Sequence, residues 1–143
     1  MANLVMSGFD ELDDAFNRIG DIPFSVTAEA LTEMATVASD KIKSSGEQMG
    51  VRDPDSNVHI LDKIKPAKPK PTETGGYCAI TFSGTRTRNG VKTRNAEIAF
   101  VNEYGKRGQD ARPFIRNGMQ DQESIAAPGE KIIGDWIENE FKK

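Results

Sequence analysis

Cysteine and histidine are almost absent from this chain, and their scarcity argues against two classes of protein. One cysteine in 143 residues rules out the intrachain disulfide framework that small secreted domains use. The one histidine, His59, has no cysteine or second histidine at metal-ligand spacing, which argues against a metal site. The cysteine lies in the apolar run Tyr77–Ile80, so Cys78 is predicted to be a small buried hydrophobic residue and not a nucleophile.

Long apolar runs and an excess of positive charge are missing as well. No run approaches the roughly 18 to 20 apolar residues that cross a membrane. The first six residues, Met1–Met6, lack the basic start and apolar core of a secretion signal, so we expect a cytoplasmic protein without a membrane partner. The net charge of −3 argues against general nucleic-acid binding. The hydrophobic content of 36% is lean for a self-sufficient domain and suits a subunit of an assembly.

Motifs for catalysis are also missing. The chain has no glycine-rich phosphate loop of the Walker or dinucleotide type and no Gly-x-Ser-x-Gly elbow. Its paired acids, Asp13-Asp14 and Glu138 with Glu140, fall on the polar faces of predicted helices, where carboxylates are solvated. We therefore expect a protein that is not an enzyme, with no catalytic residues, no cofactor and no metal.

Positive charge is concentrated between Lys63 and Arg94, where the only acidic residue is Glu73, whereas the first forty residues are acidic. Within the basic stretch, three prolines in Lys65–Pro71 exclude a helix and a central strand and favour polyproline-like extension. We predict a Lys/Pro-rich loop at about 65–75. Three interpretations are open: a stiff exposed loop, a basic arm, or a ligand for a proline-binding groove.

The spacing of apolar residues predicts two helices in the first third of the chain. A capping box at Ser7 and Asp10 begins the first helix, which follows a short strand at 3–6 and ends near Gly20. Its apolar face consists of Phe9, Leu12, Phe16 and Ile19. The second helix is predicted from about Pro23 to Ser44, and its alanine-rich stripe lets a neighbouring element approach closely. This stripe consists of Ala28, Leu31, Ala35, Ala38 and Ile42.

The C-terminal part is also predicted to be helical. Pro128-Gly129 is expected to break or restart the helix, because proline lacks the backbone N–H that a helix interior requires. Beyond this point, Trp136 is predicted to anchor the last helix in the core. The apolar face of that helix consists of Ile132, Ile133, Trp136, Ile137 and Phe141.

Between the helices, the pattern predicts a loop at 45–57 and then strands at Val58–Ile64 and Tyr77–Phe82. Asn89-Gly90 predicts a tight hairpin turn, with a returning strand that starts near Val91. The hairpin tip, at about 84–94, carries Arg86, Arg88, Lys92 and Arg94. The predicted fold class is α+β: N-terminal helices, a small antiparallel β-sheet with a long hairpin, and a C-terminal helix packed on the sheet.

The most informative stretch runs from Ile98 to Arg116. Gly105 and Gly108 allow the backbone to reverse with positive φ. Pro113 suits the first turn of a helix, and Arg112 presents a planar five-donor guanidinium where that helix begins. The residues that follow, Phe114 and Ile115, are expected to bury against the sheet.

This stretch resembles the tail-completion, or head–tail joining, family of long-tailed bacteriophages and prophages. The family pattern is an aromatic–Val–x–Glu–aromatic–Gly turn, a short loop, and Ala-Arg-Pro-Phe-aliphatic at the start of a long C-terminal helix. The residues that match are Phe100, Val101, Glu103, Tyr104, Gly105, Ala111, Arg112, Pro113, Phe114 and Ile115. Three features depart from the pattern: Asp53–Val58 lacks the family's Thr-Gly, the Lys/Pro-rich insert is unusual, and Pro128-Gly129 falls in what is often a continuous helix.

The resemblance implies a single neck-type domain over residues 1–143, located in the neck of a virion and made in the host cytoplasm. It implies a homo-oligomeric ring, a hexamer, between a head-side connector or stopper protein and a tail terminator or tail tube protein, with DNA passing through the lumen. The Arg112–Phe114 junction is expected to be architectural, with Arg112 bonding Glu103 or carbonyls. Candidate interface residues are Lys68, Lys70, Arg86, Arg88, Asn89, Gly90, Lys92 and Arg94. The alternatives are a nucleic-acid-binding module that uses residues 63–94 and an assembly chaperone absent from the virion.

Overall fold

The computed structural model describes residues 21–55 and 57–143. The predicted strand at 3–6 and the predicted first helix lie outside the described residues. Four α-helices, a 3₁₀ turn and six short strands follow one another along the described chain. In chain order they are α1 (Phe24–Met49), the 3₁₀ turn (Ile60–Lys63), β1 (Ile64–Pro66), β2 (Lys70–Thr72), β3 (Gly75–Tyr77), β4 (Ile80–Phe82), β5 (Thr85–Arg88), β6 (Val91–Arg94), α2 (Asn95–Tyr104), α3 (Phe114–Gly118) and α4 (Gln122–Phe141).

Helix α1 is longer than predicted, because it continues five residues past Ser44 to Met49. Ser45 and Gly46, which the sequence assigned to a loop, face the interior. A Cβ on Gly46 would lie 2.5 Å from Cδ2 of Leu61, so glycine lets the 3₁₀ turn pack closely against α1. The helix ends at Gly50, which has the left-handed φ of 65° that is typical of a helix C-cap.

Helix α4 lies antiparallel to α1. Asp121, just before α4, pairs with Lys41 at 3.2 Å, whereas Gly129 lies against Met34, further toward the start of α1. The alanine-rich stripe of α1 therefore permits the close approach that its composition predicted. A hydrogen bond from the Ser124 hydroxyl and then one from Lys41 hold the pKa of Asp121 below its ordinary value, which strengthens its cap on α4 above that pKa and weakens it as pH falls.

The predicted break at Pro128-Gly129 is wrong, because α4 runs without interruption through Pro128. Proline removes one intrahelical hydrogen bond at this place. The packing of Gly129 against α1 offsets that loss, since a Cβ at this position would clash with the Met34 side chain. Trp136, which was predicted to anchor the core, is only partly buried.

The strands form three separate two-stranded antiparallel sheets: β1 with β4, β2 with β3, and β5 with β6. The predicted strand at Val58–Ile64 is wrong, because most of it forms the 3₁₀ turn, in which His59 Nδ1 accepts a hydrogen bond from Leu61 N–H. The predicted strand at Tyr77–Phe82 is interrupted after Tyr77, and its halves β3 and β4 pair with different partners. Pro66 and Pro71 each lie in a two-stranded sheet, where a free edge tolerates the missing N–H.

The core lies at the C-terminal half of α1. Phe114, with no exposed surface, meets the sheet through Phe82, and the two rings make an edge-to-face contact with centroids 5.9 Å apart. The fully or nearly buried members of the core are Ile42, Val51, Ile60, Leu61, Ala99 and Phe114. The α+β class is confirmed, and so is the prediction that Phe114 buries against the sheet.

Gly118→Ala is expected to destabilise the protein by about 1–3 kcal/mol, because the new Cβ would overpack the helix contact. That Cβ would lie 2.7 Å from Ile42 Cα and 3.0 Å from Lys41 O, which are backbone atoms that cannot rotate away. Gly134→Ala, in α4, is the matched control: its Cβ meets nothing within 4 Å, so it should stabilise by about 0.5–1 kcal/mol. Urea denaturation measures both changes, and equal stability of the two variants would contradict this account of helix packing.

Candidate interaction surface

The inward face of α2 carries three buried polar residues: Asn95, Asn102 and Glu103. Their spacing of seven and eight residues puts them on one side of the helix. Asn102 donates hydrogen bonds to Arg52 O at 2.7 Å and to Ile98 O at 2.9 Å, and its Oδ1 accepts one from Arg52 N–H at 2.8 Å. Asn102 therefore fixes the chain just beyond α1 to α2, with every polar group of its amide engaged.

Glu103 fixes the next element along the chain. Its carboxylate accepts hydrogen bonds from the backbone N–H groups of Ile115 at 2.8 Å and Arg116 at 3.1 Å, and so satisfies free donors at the start of α3. The prediction that the Arg112 side chain bonds Glu103 or carbonyls at this turn is wrong. Within the part of the chain that the structure describes, Nη1 of Arg112 is buried without a hydrogen-bond partner.

The reversal between α2 and α3 depends on the two predicted glycines. Gly105 has φ of 78° and Gly108 has φ of 82°, both in the left-handed region. A Cβ on Gly105 would lie 2.9 Å from Gln109 O and from Ala111 N, so this turn closes too tightly for any side chain. Pro113 caps α3 instead of opening a long helix, and the helical region divides after Gly118 into α3 and α4.

The hairpin is anchored by a buried ion pair that the sequence pattern does not predict. Arg86, with 11% of its side chain exposed, places Nη1 2.5 Å from Oδ1 of Asp53, whose side chain is fully buried. The Nε of Arg86 donates to Asn95 Oδ1 at 2.7 Å. The prediction that Arg86 projects from the hairpin tip is therefore wrong: the residue faces inward and is engaged with α2 and the loop after α1.

The acidic loop adds further contacts to this ion pair. Asp53 Oδ2 accepts a hydrogen bond from Ile60 N–H at 2.6 Å, which draws the chain into the 3₁₀ turn. A second carboxylate, Asp55, lies 3.6 Å from Nη1 of Arg86. The N–H of Asn57 lowers the pKa of Asp55 most, and the charges of Arg86 and Arg88 lower it further. The sequence shows Asp53 and Asp55 in a predicted loop, but only their positions in the structure identify Arg86 as their partner.

The outward face of α2 presents two aromatic residues of the motif to solvent. Phe100 is 61% exposed and Tyr104 is 64% exposed, although the inward residues of the same helix are almost completely buried. Four residues apart on the helix, the two rings contact one another with centroids 4.7 Å apart. Neither ring belongs to the core that residues 21–55 and 57–143 form, so packing within that part of the chain gives no reason for two large apolar side chains here.

Two depressions lie along the same helix, and Phe100 lines the smaller of them. One, of about 590 Å³, is lined by Arg52, Ile98, Val101, Lys106 and Gln109, among others. The other, of about 330 Å³, is lined by Arg94, Ala96, Glu97, Phe100 and Val101. Glu97 and Val101 line both, so the two depressions adjoin, and Tyr104 lies next to them through its contact with Phe100. We call this the aromatic surface, defined by Arg94, Glu97, Phe100, Val101, Tyr104 and Lys106.

The hairpin turn is confirmed. Asn89 and Gly90 adopt φ of 52° and 78°, as a two-residue hairpin turn with positive φ at both positions requires. Arg88, Lys92 and Arg94 remain exposed on the hairpin, together with Val91. Lys68 and Lys70 are also exposed, but they lie in or before β2, which does not pair with the hairpin.

His59 and Cys78, the two residues considered for metal binding and nucleophilic chemistry, make contacts that stabilise the fold. His59 caps the 3₁₀ turn, and its Nε2 lies 3.2 Å from Val51 O. Burial raises the pKa of the Cys78 thiol, whose Sγ lies 3.1 Å from Ala67 O, and this disfavours the reactive thiolate. Among residues 21–55 and 57–143, no group of three or more His, Cys, Asp or Glu residues could hold a metal ion. The same residues include no helix that is long and apolar enough to cross a membrane.

Comparison of the chain with protein-family models, curated proteins and solved structures finds no match. The resemblance to tail-completion proteins therefore depends on the motif residues of this chain. In the structure those residues divide into two groups. Glu103, Gly105 and Phe114 hold the fold together, whereas Phe100 and Tyr104 face solvent.

Asp53→Asn is expected to cost about 3 kcal/mol or more, because it leaves the largely buried Arg86 without its charged partner. Glu97→Gln is the matched control, since it removes a carboxylate that pairs with Arg94 on the exposed face of α2 and should cost less than about 1 kcal/mol. Guanidinium denaturation of both variants measures the difference. Equal losses would contradict an anchoring role for Asp53.

Replacing Phe100 and Tyr104 together by Ser is expected to change the free energy of unfolding by less than about 1 kcal/mol, because both rings are mostly exposed. Phe114→Ala should instead cost about 3–5 kcal/mol, because it opens a cavity beside Phe82. Thermal melts followed by circular dichroism compare the two. A large loss of thermal stability in the Phe100/Tyr104 variant would mean that these rings pack in the core, and would contradict their assignment to an exposed surface.

Proposed function

We propose that this chain is a structural protein of a phage neck, where copies form a ring that joins the head connector to the tail tube, and that it is not an enzyme. The observation that carries the proposal is the exposure of Phe100 and Tyr104 within the stretch that resembles tail-completion proteins. Exposed paired aromatics are typical anchors of protein interfaces, since they bury large apolar area with little loss of side-chain freedom.

A ring requires each subunit to present two different surfaces, because its contacts are head-to-tail and must close. The aromatic surface supplies one candidate. The end of the hairpin around its turn, with Arg88, Val91 and Lys92, supplies another. In this proposal the remaining faces contact a connector or stopper protein on the head side and a tail terminator or tube protein on the other. The virion neck is the proposed location, with six subunits around a lumen through which DNA passes.

A nucleic-acid-binding module is the second candidate. It is favoured by the exposed side chains of Arg88, Lys92 and Arg94 on one hairpin. It is weakened by Arg86, which is engaged with Asp53 and Asn95 and is therefore unavailable to phosphates. The basic segment 63–94 also offers few stacking partners for bases, since Tyr77 and Phe82 are its only aromatic residues.

The proposal is tested in the genome that encodes the chain by replacing Phe100 and Tyr104 with Ser. Electron microscopy should then show filled heads and separate tails that fail to join, because the interface has lost its apolar anchors. Circular dichroism of the purified variant should show an unchanged fold. Phe141→Ser is the matched control, since Phe141 is an exposed aromatic residue on α4, and it should give joined particles.

Three outcomes would count against the neck role. Normally joined particles from the Phe100/Tyr104 variant would show that the two exposed rings are not needed for joining heads to tails. Absence of the chain from purified particles by mass spectrometry would favour an assembly chaperone. Salt-dependent binding of duplex DNA by the isolated protein, lost in Arg88→Glu with Lys92→Glu, would favour the nucleic-acid module.

A further inference from the structure

The tripeptide Arg-Asn-Gly occurs twice in this chain, as Arg88–Gly90 and as Arg116–Gly118. Asparagine before glycine is chemically labile, because glycine has no side chain to shield its backbone nitrogen from the asparagine amide. Local sequence therefore gives the two sites the same reactivity. The structure puts them in opposite surroundings, since the first forms the hairpin turn between β5 and β6 and the second ends the packed helix α3.

The hairpin turn leaves its asparagine open to reaction. Asn89 and Gly90 are both exposed, and a Cβ on Gly90 would meet nothing within 4 Å. The cross-strand register ends with Arg88 opposite Val91, so neither turn residue belongs to the β-ladder. The hairpin is held further from the turn, where Arg86 pairs with the buried carboxylate of the loop after α1. A backbone rotation within the turn therefore leaves the anchoring contacts in place.

The second tripeptide is fixed by its packing. Gly118 is buried against α1, where a Cβ would lie 2.7 Å from Ile42 Cα. The side-chain amide of Asn117 donates to the Ser45 hydroxyl at 2.9 Å. The backbone N–H groups of Asn117 and Met119, on either side of the glycine, each donate to a carbonyl four residues back. Rotation of the Asn117 backbone would break these contacts, so reaction here requires α3 to unfold locally.

We propose that Asn89 is a site of spontaneous deamidation and that the fold protects the identical tripeptide in α3. The backbone nitrogen of Gly90 loses its proton to hydroxide and attacks Cγ of Asn89. The new N–Cγ bond closes a cyclic imide while the Cγ–Nδ2 bond breaks and ammonia leaves. Water then opens the imide at either of its C–N bonds, which gives aspartate or isoaspartate.

The reaction changes the charge of the end of the hairpin. Either product carries a carboxylate between the exposed cations Arg88 and Lys92, and so lowers the positive charge around the turn. Isoaspartate also adds a methylene group to the main chain of a two-residue turn. The modification goes beyond the proposed neck role and does not depend on it, because the reaction requires only this chain and water.

The test incubates the full-length protein at mildly alkaline pH, either native or in concentrated guanidinium. Cleavage after glutamate gives fragments 74–97 and 104–123, each with one Asn-Gly, and mass spectrometry measures the conversion of amide to acid in each fragment. In the native protein, Asn89 should react faster than Asn117 by about tenfold or more, because Asn117 reacts only after local unfolding. In guanidinium the two rates should become similar, since the fold no longer separates them.

Two variants are the controls. Asn89→Gln should leave fragment 74–97 unchanged, because glutamine would have to form a larger ring and reacts far more slowly. Asn89→Asp is the charge standard, and the aged wild-type protein should elute with it in ion-exchange chromatography. Equal rates at the two sites of the native protein, or an Asn89 that reacts only in guanidinium, would overturn the inference. Neither result bears on head–tail joining, which particle microscopy tests separately.

Discussion

The buried pairing of Arg86 with Asp53 is the interaction on which the arrangement of hairpin, loop and helices depends. Each charge alone would be costly in the interior, so each requires the other in place. Asp53 also holds the 3₁₀ turn through Ile60 N–H, and Arg86 reaches α2 through Asn95. Four segments are therefore fixed by one pair of side chains, 33 residues apart in sequence, and by their hydrogen bonds.

Helix α2 has a buried polar face and an exposed aromatic face. Asn95, Asn102 and Glu103 face inward, where each satisfies backbone or side-chain groups that burial would otherwise leave without partners. These three residues and the glycine turn stabilise the fold, and Phe100 and Tyr104 do not pack in the core that the described residues form. Substitution of Phe100 and Tyr104 can therefore test binding, because it leaves the buried face of α2 unchanged.

Several features followed from local sequence because their causes are local. The Asn89-Gly90 turn, the glycine reversal at Gly105 and the helical stripe of α1 each depend on the backbone freedom or periodicity of neighbouring residues. Long-range packing explains the failures. The strand predicted at Val58–Ile64 became a turn because Asp53 binds Ile60 N–H, and α4 passed through Pro128 because Gly129 packs against α1.

The candidate surface was predictable only in part. The sequence by itself determined the α+β class, the hairpin, the motif residues and the acidic amphipathic pattern of the N-terminal segment, because composition and periodicity specify these directly. Tertiary structure decided which residues of the motif face solvent and which basic residues are available. Arg86 and Arg88 are alike in sequence, yet one is buried against Asp53 and the other is exposed. The two residues are two positions apart and therefore lie on the same face of β5. They differ because the loop after α1 covers Arg86 through Asp53 and leaves Arg88, beside the turn, exposed.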